Sequence, residues 1–443
     1  MSFEIYDAIV LGRGPLGVYT STRLLDAGKK VLNIDAGVNL KNLTSNISVD
    51  SNILWKSKFE PPSLNKDASP YMWGGGVMGW PLESLGIEDG EIPIKEEDFI
   101  SSVISVAEYL SIEDFDLTKN LPTGEQANNL SIKYTYLMKN YDFKDKIKYL
   151  ENNSLYKFLD NTNFYKIKTG KKTEVVVKTD SQEITYSCKN LFICLGAIET
   201  SRLILENSNL VESKNVKSLY IEDHLRFPIA KFEISNLYSF KLLFDKITNN
   251  SKEKYLWPRL VDNSHKNSSY SFFKFWRYNN LIYRKLNLNF LKKRFMNSGS
   301  CELHLFVEKK DNLLDKMYIG TEKNLVVKFN LSQNEISKIE EIVKIHISKF
   351  QNEYGKLVKN IKVYDLNLSK EFLDKVETAS HPSGSLKMGK NSETSYVDNE
   401  SRLWEHPNIY VYSSATLPRP HYIHPTFVCL SLADYSLNKG FKL

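Results

Sequence analysis

The sequence IYDAIVLGRGPLGVYTSTRLLDAGKKVLNID, residues 5–35, decides the fold. An apolar run at its start predicts a buried strand. A glycine-rich turn, an amphipathic helix and a second apolar strand follow it. Strand, helix and strand in this order form a βαβ unit of a parallel sheet. The segments are residues 6–11, 12–17, 18–25 with Gly28 after them, and 31–34.

The turn of this unit has glycines at the spacing Gly-x-Gly-x-x-Gly. Such glycines allow a tight turn, close approach of the backbone to a diphosphate and close packing of helix on strand. An acid at the end of the second strand can accept hydrogen bonds from ribose hydroxyls, and its charge disfavours a 2′-phosphate. We therefore expect FAD or NAD rather than NADP. The predicted cofactor-binding residues are Gly12, Gly14, Pro15, Leu16, Gly17 and Asp35.

A second glycine-rich segment, residues 71–80, places four glycines among large side chains. Glycines at this density let the backbone approach the plane of a ligand or adopt positive φ angles. The alternative is a glycine-rich loop without a chemical role. The residues predicted to contact a cofactor in this segment are Trp73, Gly74, Gly75 and Gly76.

Two histidines near the C-terminus each precede a proline: His381 in SHPSGS and His424 in IHPT. Histidine accepts a proton near neutral pH, and general-base assistance is worth about 10² to 10⁴ in rate. A histidine before proline is otherwise a structural residue. The two patterns alone therefore leave both roles open.

The composition is that of a globular chain, with 443 residues, 42% apolar and 25% charged. It excludes disorder and collagen-like repeats. No apolar run is long enough to span a membrane, and the first strand begins too close to Met1 for a signal peptide, so we expect a cytoplasmic protein. The four cysteines include no Cys-x-x-Cys pair, and this spacing predicts buried free thiols and no metal site. The cysteines are Cys188, Cys194, Cys301 and Cys429.

The formal net charge of +6 is concentrated in residues 263–301, which contain eight Lys or Arg residues and no acid. Aromatic residues alternate with these charges, a mixture that suits an anionic ligand or a membrane surface. A solvated basic face over an aromatic core explains the same pattern, and we favour it over peripheral membrane contact. Because no recognition motif accompanies the charge, no nucleic-acid partner is expected.

The middle of the chain has a different pattern from its ends. Short strands are predicted around residues 164–168, 174–178 and 191–194, and others at 229–234, 302–307 and 325–329. A helix is predicted from Ser332 to about Tyr354, with capping-box spacing between Ser332 and Glu335. Its apolar residues recur along one face. They are Ile336, Ile339, Val343, Ile347 and Phe350.

The predicted fold class is α/β. A discontinuous Rossmann-like domain is built from residues 1–221 with 371–443, because the last residues return to glycine, proline and short apolar runs. An α+β domain on a mixed sheet, residues 222–370, is inserted into it. Part of residues 80–160 is expected to contribute to the substrate-binding side of the protein.

The sequence resembles the glucose-methanol-choline (GMC) family of FAD-dependent oxidoreductases in five places that follow the family's order. The C-terminal block is the most specific of them. The matches cover both ends of the chain, whereas the inserted domain matches only in its placement. They are GRGPLG (12–17) with Asp35, Gly74–Gly76, FICLGAIET (192–200), Glu222-Asp223-His224, and a block of HPSG (381–384), KMG (387–389), VD (397–398), NIYV (408–411), LP (417–418) and HP (424–425).

The resemblance implies roles for the two histidines. A residue at the position of His381 faces the flavin and accepts the substrate hydroxyl proton, while His424 holds the substrate oxygen. Residues 74–76 run beside the flavin ring. Covalent flavin is usually attached through a histidine near this loop, and none is present, so noncovalent FAD is expected. The further cofactor-binding residues that the resemblance implies are Gly196, Ser413, Ser414, Pro425 and Thr426.

The chain also departs from the family. Where the family usually has Val-x-Asp-x-Ser, this chain has VYSSA at residues 411–415, so Ser413 replaces a common acid near the flavin. His224 is expected to belong to a structural turn at the domain junction, and His421 to be a polar neighbour of the pocket.

These features predict an FAD-dependent oxidoreductase that oxidises a CH–OH group of a sugar, polyol or related hydroxylated metabolite, neutral or anionic, by hydride transfer to flavin N5. One alternative is a flavoprotein of another reaction type on the same scaffold, such as a lyase or an oxidoreductase acting on C=C or C=O groups. Another is a catalytically idle flavin-binding protein. No motif separates oxidase from dehydrogenase or identifies the electron acceptor.

Overall fold

The computed structural model describes residues 4–35, 53–55, 76–78, 93–111, 130–137, 143–160, 162–178, 182–234, 256–262, 269–275, 300–308, 315–328, 333–356, 358–365, 376–378, 381–418 and 425–441.

The strands of the described residues are numbered in chain order. They are β1 Ile5–Leu11, β2 Val31–Ile34, β3 Ile53–Trp55, β4 Gly76–Met78, β5 Leu130–Leu137, β6 Tyr156–Leu159, β7 Asn163–Lys168, β8 Thr173–Lys178, β9 Glu183–Ile193, β10 Leu219–Tyr220, β11 His224–Ile234, β12 Leu256–Asp262, β13 Ser269–Phe275, β14 Ser300–Glu308, β15 Lys316–Ile319, β16 Leu325–Lys328, β17 Val358–Val363, β18 Glu377–Thr378, β19 Arg402–Leu403 and β20 His406–Val411.

The α-helices of the described residues are α1 Pro15–Asp26, α2 Glu96–Tyr109, α3 Lys144–Glu151, α4 Gly196–Glu206, α5 Gln333–Tyr354 and α6 Pro425–Phe441, and two 3₁₀-helices span Ser208–Lys214 and Ser414–Thr416. None of these described helices combines the length and the apolar character needed to cross a membrane.

Strands β1 and β2 lie in the middle of a mixed eight-stranded sheet with the order β19-β20-β9-β1-β2-β6. The five strands from β20 to β6 are parallel to one another. The β7–β8 meander pairs antiparallel with the first half of β9. Ile9 and Val10 are fully buried, as expected for parallel strands covered on both faces. The predicted βαβ unit of residues 5–35 is confirmed.

The C-terminal residues join the sheet that the N-terminal residues begin. Strand β20 pairs in parallel with the end of β9, and α6 packs against α1 and α2. Phe192 of β9 stacks on Tyr410 of β20 with 4.9 Å between ring centroids, and the ring of Phe441, at the end of α6, lies 5.6 Å from Phe192. The two ends of the chain therefore share one sheet and one apolar core.

A buried polar network connects the three helices of this core. The hydroxyl of Tyr19 in α1 donates to the carboxylate of Asp434 in α6 at 2.5 Å, and Asn438 donates to the same carboxylate at 2.8 Å. Arg23 lies 3.5 Å from Asp434, and Ser105 of α2 donates to it at 3.4 Å. Burial raises the pKa of the Tyr19 hydroxyl, so this hydroxyl remains a donor. The network fixes how α6 sits on α1.

A second sheet has the order β17-β11-β14-β13-β12-β5-β4, with β18 also paired to β11. All of its described strand pairs are antiparallel, whereas a mixed sheet was expected for residues 222–370. A four-stranded mixed sheet, β10-β15-β16-β3, combines β15 and β16 of this region with β10 and β3 from the preceding part of the chain, and β16 and β3 are parallel. Of the basic segment 263–301, the structure describes β13 and the first residues of β14.

Helix α5 confirms the helix predicted from periodicity. The five apolar residues of its predicted face are all buried, whereas Ile345 on the opposite face is 41% exposed. The ring of Phe350 lies 4.9 Å from that of Phe232 in β11. Helix α5 therefore covers one face of the antiparallel sheet, an arrangement typical of an α+β unit.

Replacing Asp434 by alanine is predicted to weaken the junction of the two chain ends. The substitution leaves the Tyr19 hydroxyl and the Arg23 guanidinium without their buried acceptor, which costs about 3 kcal/mol. Urea unfolding followed by circular dichroism measures the loss. Lys439→Ala is the matched control, since it removes an exposed α6–α2 ion pair, Lys439–Asp98, and changes stability by less than about 1 kcal/mol. Equal effects of the two variants would contradict this account of the network.

Candidate active site

The carboxyl ends of the five parallel strands lie side by side in one row across the mixed eight-stranded sheet. The paired residues of this row are Leu159, Ile34, Leu11, Ile193 and Val411, from β6 to β20. Ligands of open α/β sheets bind outside the carboxyl ends of their strands. Predicted site residues that are far apart in sequence follow this row within three positions. They are Gly12, Asp35, Gly196 and Ser413.

The first turn beyond the row is held against its neighbours by backbone packing. Gly12 has φ of 97°, and a Cβ at this position would overlap the carbonyl oxygen of Cys194. A Cβ on Gly17 would overlap the carbonyl oxygen of Gly12. Both glycines therefore permit the close approach of turn, helix and β9 that the spacing predicts.

Helix α1 begins directly after this turn. Gly14 is its N-cap, Pro15 is its first residue, and its first turn contains no acid. Leu16 packs against the core. The free N–H groups and the positive end of the helix dipole form a site that suits a phosphate.

Asp35, directly after β2, is buried with 4% exposure. Its Oδ2 accepts a hydrogen bond of 2.5 Å from the backbone N–H of Arg13, the residue between the first two glycines. The carboxylate is therefore fixed between the ends of β1 and β2. This is the position from which the sequence predicts a contact with ribose.

Ser413 follows β20 and begins the 3₁₀-helix Ser414–Thr416. Its hydroxyl accepts a hydrogen bond of 3.1 Å from the backbone N–H of Ala415, so it caps this helix. Serine and aspartate are both good N-caps. Ser413 can thus retain the local geometry of the acid that it replaces while removing the negative charge.

Hydrogen bonds tie the segment of His381 to this same 3₁₀-helix. The Ser414 hydroxyl donates to the carbonyl of Pro382 at 2.8 Å. The backbone N–H groups of Gly384 and Leu386 donate to Ser414 and Ala415 at 3.3 and 2.8 Å. His381 is therefore anchored beside the carboxyl end of β20, next to the predicted cofactor-binding residues.

The Asp223 carboxylate holds His381 from the other side. It accepts hydrogen bonds from the backbone N–H of His224 at 2.6 Å and from that of His381 at 3.0 Å. Glu222 and Ser383 exchange two backbone hydrogen bonds of 3.1 and 2.9 Å. The Glu222-Asp223-His224 motif thus connects the start of β11 to the segment of His381.

The imidazole of His224 packs against that of His381. Their ring centroids are 5.7 Å apart and the rings are nearly perpendicular. His224 is fully buried and also lies edge-on to Phe306, 6.4 Å away. His224 was expected in a turn; it is the first residue of β11, and its ring contact with His381 was not predicted. The signal was the Asp-His pair directly before a strand, but the sequence does not show which residue that strand faces.

The remaining predicted site residues divide into two groups. Gly76 begins β4, and Pro425 and Thr426 are the first two residues of α6. His424, its neighbour His421 and the loop residues lie outside the described residues, so their predicted roles stay predictions. The loop residues are Trp73, Gly74 and Gly75.

Three of the cysteines are buried free thiols, as predicted. Burial raises the pKa of Cys188 and of Cys194 to about 12, and it also raises that of Cys429. These thiols are therefore protonated at neutral pH and unsuited to nucleophilic chemistry. Cys301 is in β14, and its side chain lies outside the described residues.

A family model matches the C-terminal part of the chain. Residues 322–433, about a quarter of the chain, match the family model GMC_oxred_C, described as GMC oxidoreductase. No curated protein matches the chain. GMC oxidoreductases bind FAD, and the eight-stranded sheet with its glycine turn is the Rossmann-type part of this fold.

Two solved structures have a similar fold over the whole chain. Pyridoxine 4-oxidase from Mesorbium loti has a TM-score of 0.62 and 11% sequence identity, with 99% of each chain covered. A variant of formate oxidase from Aspergillus oryzae RIB40, studied for its effect on FAD modification, has a TM-score of 0.55 and 11% identity, with 100% of each chain covered. The likeness covers both ends of the chain and the region between them.

Gly17→Ala is predicted to weaken FAD binding. The added Cβ would overlap the backbone of Gly12 and force the turn away from β9. Overpacking of about 1 to 3 kcal/mol, if expressed fully in binding, corresponds to about a five- to 150-fold loss of affinity. Titration of the apoprotein with FAD measures it. Gly170→Ala, where a Cβ meets nothing within 4 Å, is the control and should bind FAD as the wild type does. If Gly17→Ala bound FAD with the affinity of the wild type, the assignment of this turn would be refuted.

Asp223→Ala is predicted to release the segment of His381. Two backbone N–H donors lose their acceptor, at about 1 to 3 kcal/mol for each donor that stays buried and unpaired. Asp223→Asn keeps one acceptor oxygen and should lose less. Urea unfolding measures the free energy of unfolding of the wild type, Asp223→Asn and Asp223→Ala, which should fall in that order. An alanine variant as stable as the asparagine variant would show that the carboxylate does not hold this junction.

Proposed function

We propose that this chain, whose residues 322–433 match the GMC oxidoreductase family model, is an FAD-dependent oxidoreductase that removes hydride from a CH–OH group, with His381 as the base. The observation that supports this most strongly is the position of His381. Its segment is hydrogen-bonded to the 3₁₀-helix Ser414–Thr416 at the same sheet edge that ends in the glycine turn.

The residues at this edge fit FAD. The glycine turn packs closely against the end of β9 and against α1, because Gly12 and Gly17 have no room for a Cβ, and the N-terminus of α1 provides N–H donors that suit a diphosphate. Asp35 is the acceptor proposed for ribose hydroxyls. FAD, when bound, supplies the acceptor for the two electrons and the hydrogen of the substrate.

The proposed task of His381 is to take the hydroxyl proton of the substrate as the carbinol carbon loses hydride. An imidazole suits this task because it exchanges a proton near neutral pH. Asp223 fixes the backbone of His381, and the His224 ring packs against its side chain. These contacts restrict the orientation of the base before substrate arrives.

His424 is proposed as the partner that holds the substrate oxygen. It directly precedes α6, whose first residues are Pro425 and Thr426. The FAD is proposed to be noncovalent, because residues 71–80 contain no histidine.

The proposed substrate class is a sugar, polyol or related hydroxylated metabolite. One structural neighbour, pyridoxine 4-oxidase, is named for a small hydroxylated molecule. Because residues 263–301 are strongly basic, we include anionic alcohols in this proposed substrate class. Its charge favours carboxylated or phosphorylated members by Coulomb attraction.

Anaerobic mixing with a panel of alcohols tests the proposal. The panel pairs neutral sugars and polyols with their phosphorylated or carboxylated counterparts, and the flavin absorbance near 450 nm reports reduction. Bleaching by any member supports alcohol oxidation. Bound flavin that no member bleaches would overturn it in favour of another reaction type or an idle flavoprotein, and a colourless protein that does not take up FAD would overturn the flavoprotein itself.

His381→Asn is predicted to keep its FAD and to lose rapid flavin reduction. Loss of a general base lowers the rate by about 10² to 10⁴. Stopped-flow absorbance with the best substrate of the panel measures it. His406→Asn, which changes a histidine at the opposite end of β20, is the matched control and should be reduced at the wild-type rate. Unchanged reduction of His381→Asn would remove the assigned role.

A further inference from the structure

Arg13 is an unusual residue for a phosphate-binding turn. It lies between Gly12 and Gly14, and only 4% of its surface is exposed. Arginine is almost never fully buried without partners, because its charge must be compensated. Nothing in the glycine spacing itself requires a charged side chain at this position.

The guanidinium of Arg13 is anchored on two other elements. Its Nη2 donates to Glu151, the last residue of α3, at 2.7 Å. Its Cζ lies 3.9 Å from the ring centroid of Phe158 in β6. The ion pair and the cation–π contact together fix the Arg13 side chain, which is itself buried.

The backbone of Arg13 is fixed as well. Its N–H donates to Asp35 at 2.5 Å. Asn33 donates to the carbonyls of Val10 and Gly12 at 3.0 and 2.9 Å and accepts from the Tyr156 hydroxyl at 3.2 Å. The side chain of Arg13 and the carboxylate of Asp35 thus belong to one buried group of residues at the ends of β1, β2 and β6.

The charged groups of this set all act on Tyr156. The guanidinium of Arg13 opposes the burial that raises the pKa of the Tyr156 hydroxyl, whereas the carboxylates of Glu151 and Asp35 raise that pKa further. Removal of the guanidinium would leave Glu151 without its ion-pair partner and Phe158 without its cation–π contact. Loss of the Arg13 anchor would also free the N–H that holds Asp35.

We propose that Arg13 is a positioning residue for the adenosine half of FAD. Anchored on Glu151 and Phe158, it holds its own backbone N–H, and with it the carboxylate of Asp35, in the orientation in which that carboxylate accepts from a ribose hydroxyl. The inference rests on the proposed FAD site but not on the substrate or on His381.

The test compares FAD with an analogue that lacks the 2′-hydroxyl of its adenosine ribose. Both are titrated into apoprotein and followed by quenching of flavin fluorescence. The wild type should prefer FAD about tenfold, the effect of one hydrogen bond to a charged group. Arg13→Ala should bind FAD more weakly and lose most of this preference, because Asp35 is no longer oriented. Arg13→Lys should recover part of it, since lysine keeps the charge but not the planar stack on Phe158.

Glu151→Gln keeps the inference testable if Arg13→Ala fails to fold, since Glu151 is 53% exposed and its substitution is tolerated. It should lower the preference in the same direction. Lys189→Ala removes an ion pair of 2.8 Å with Asp7 near the other end of β1 and is the control that should match the wild type.

An undiminished preference in both Arg13→Ala and Glu151→Gln would overturn the inference. So would a wild type that binds both ligands equally, because Asp35 would then not read the ribose. A wild type that binds neither ligand refutes the proposed FAD site, which is a different failure.

Discussion

The parallel pairing of β20 with β9 is the constraint on which the rest of the structure depends. It brings residues near the C-terminus to the edge of a sheet that begins at residue 5, and the row Leu11, Ile193 and Val411 aligns the strand ends. The ring contacts of Phe192 with Tyr410 and Phe441 and the Tyr19–Asp434 hydrogen bond stabilise this pairing. Since the carboxyl ends of parallel strands meet at one edge, the turns after them form a single site.

The two ends of this edge have different proposed tasks, anion binding at one and proton acceptance at the other. The glycine turn, the N-terminus of α1 and the buried Arg13–Asp35 pair lie beyond β1 and β2. The segment of His381 lies beyond β20, held by Ser414 and by Asp223. A cofactor that extends along the edge, with phosphates at one end and a redox ring at the other, suits this arrangement. The proposed oxidoreductase activity follows from it.

Much of the fold could be predicted from the sequence, because its signals are local. The glycine spacing predicts the βαβ unit, and five apolar residues at helical spacing predict the buried face of α5. The contacts of Arg13 with Glu151 and of His224 with His381 could not be predicted. They join segments that are distant in the chain, and no periodicity records which side chains meet when elements pack. The pairing of β11 with β14 could not be predicted for the same reason.

Hydrogen–deuterium exchange of the apoprotein and of the FAD-loaded protein tests the central claim most directly. The account predicts that FAD slows exchange in two peptides together, residues 12–17 at one end of the chain and residues 411–416 at the other, while the exposed turn at residues 168–173 is unchanged. Protection confined to the N-terminal peptide, with residues 411–416 unaffected, would contradict a flavin site built jointly from both ends of the chain.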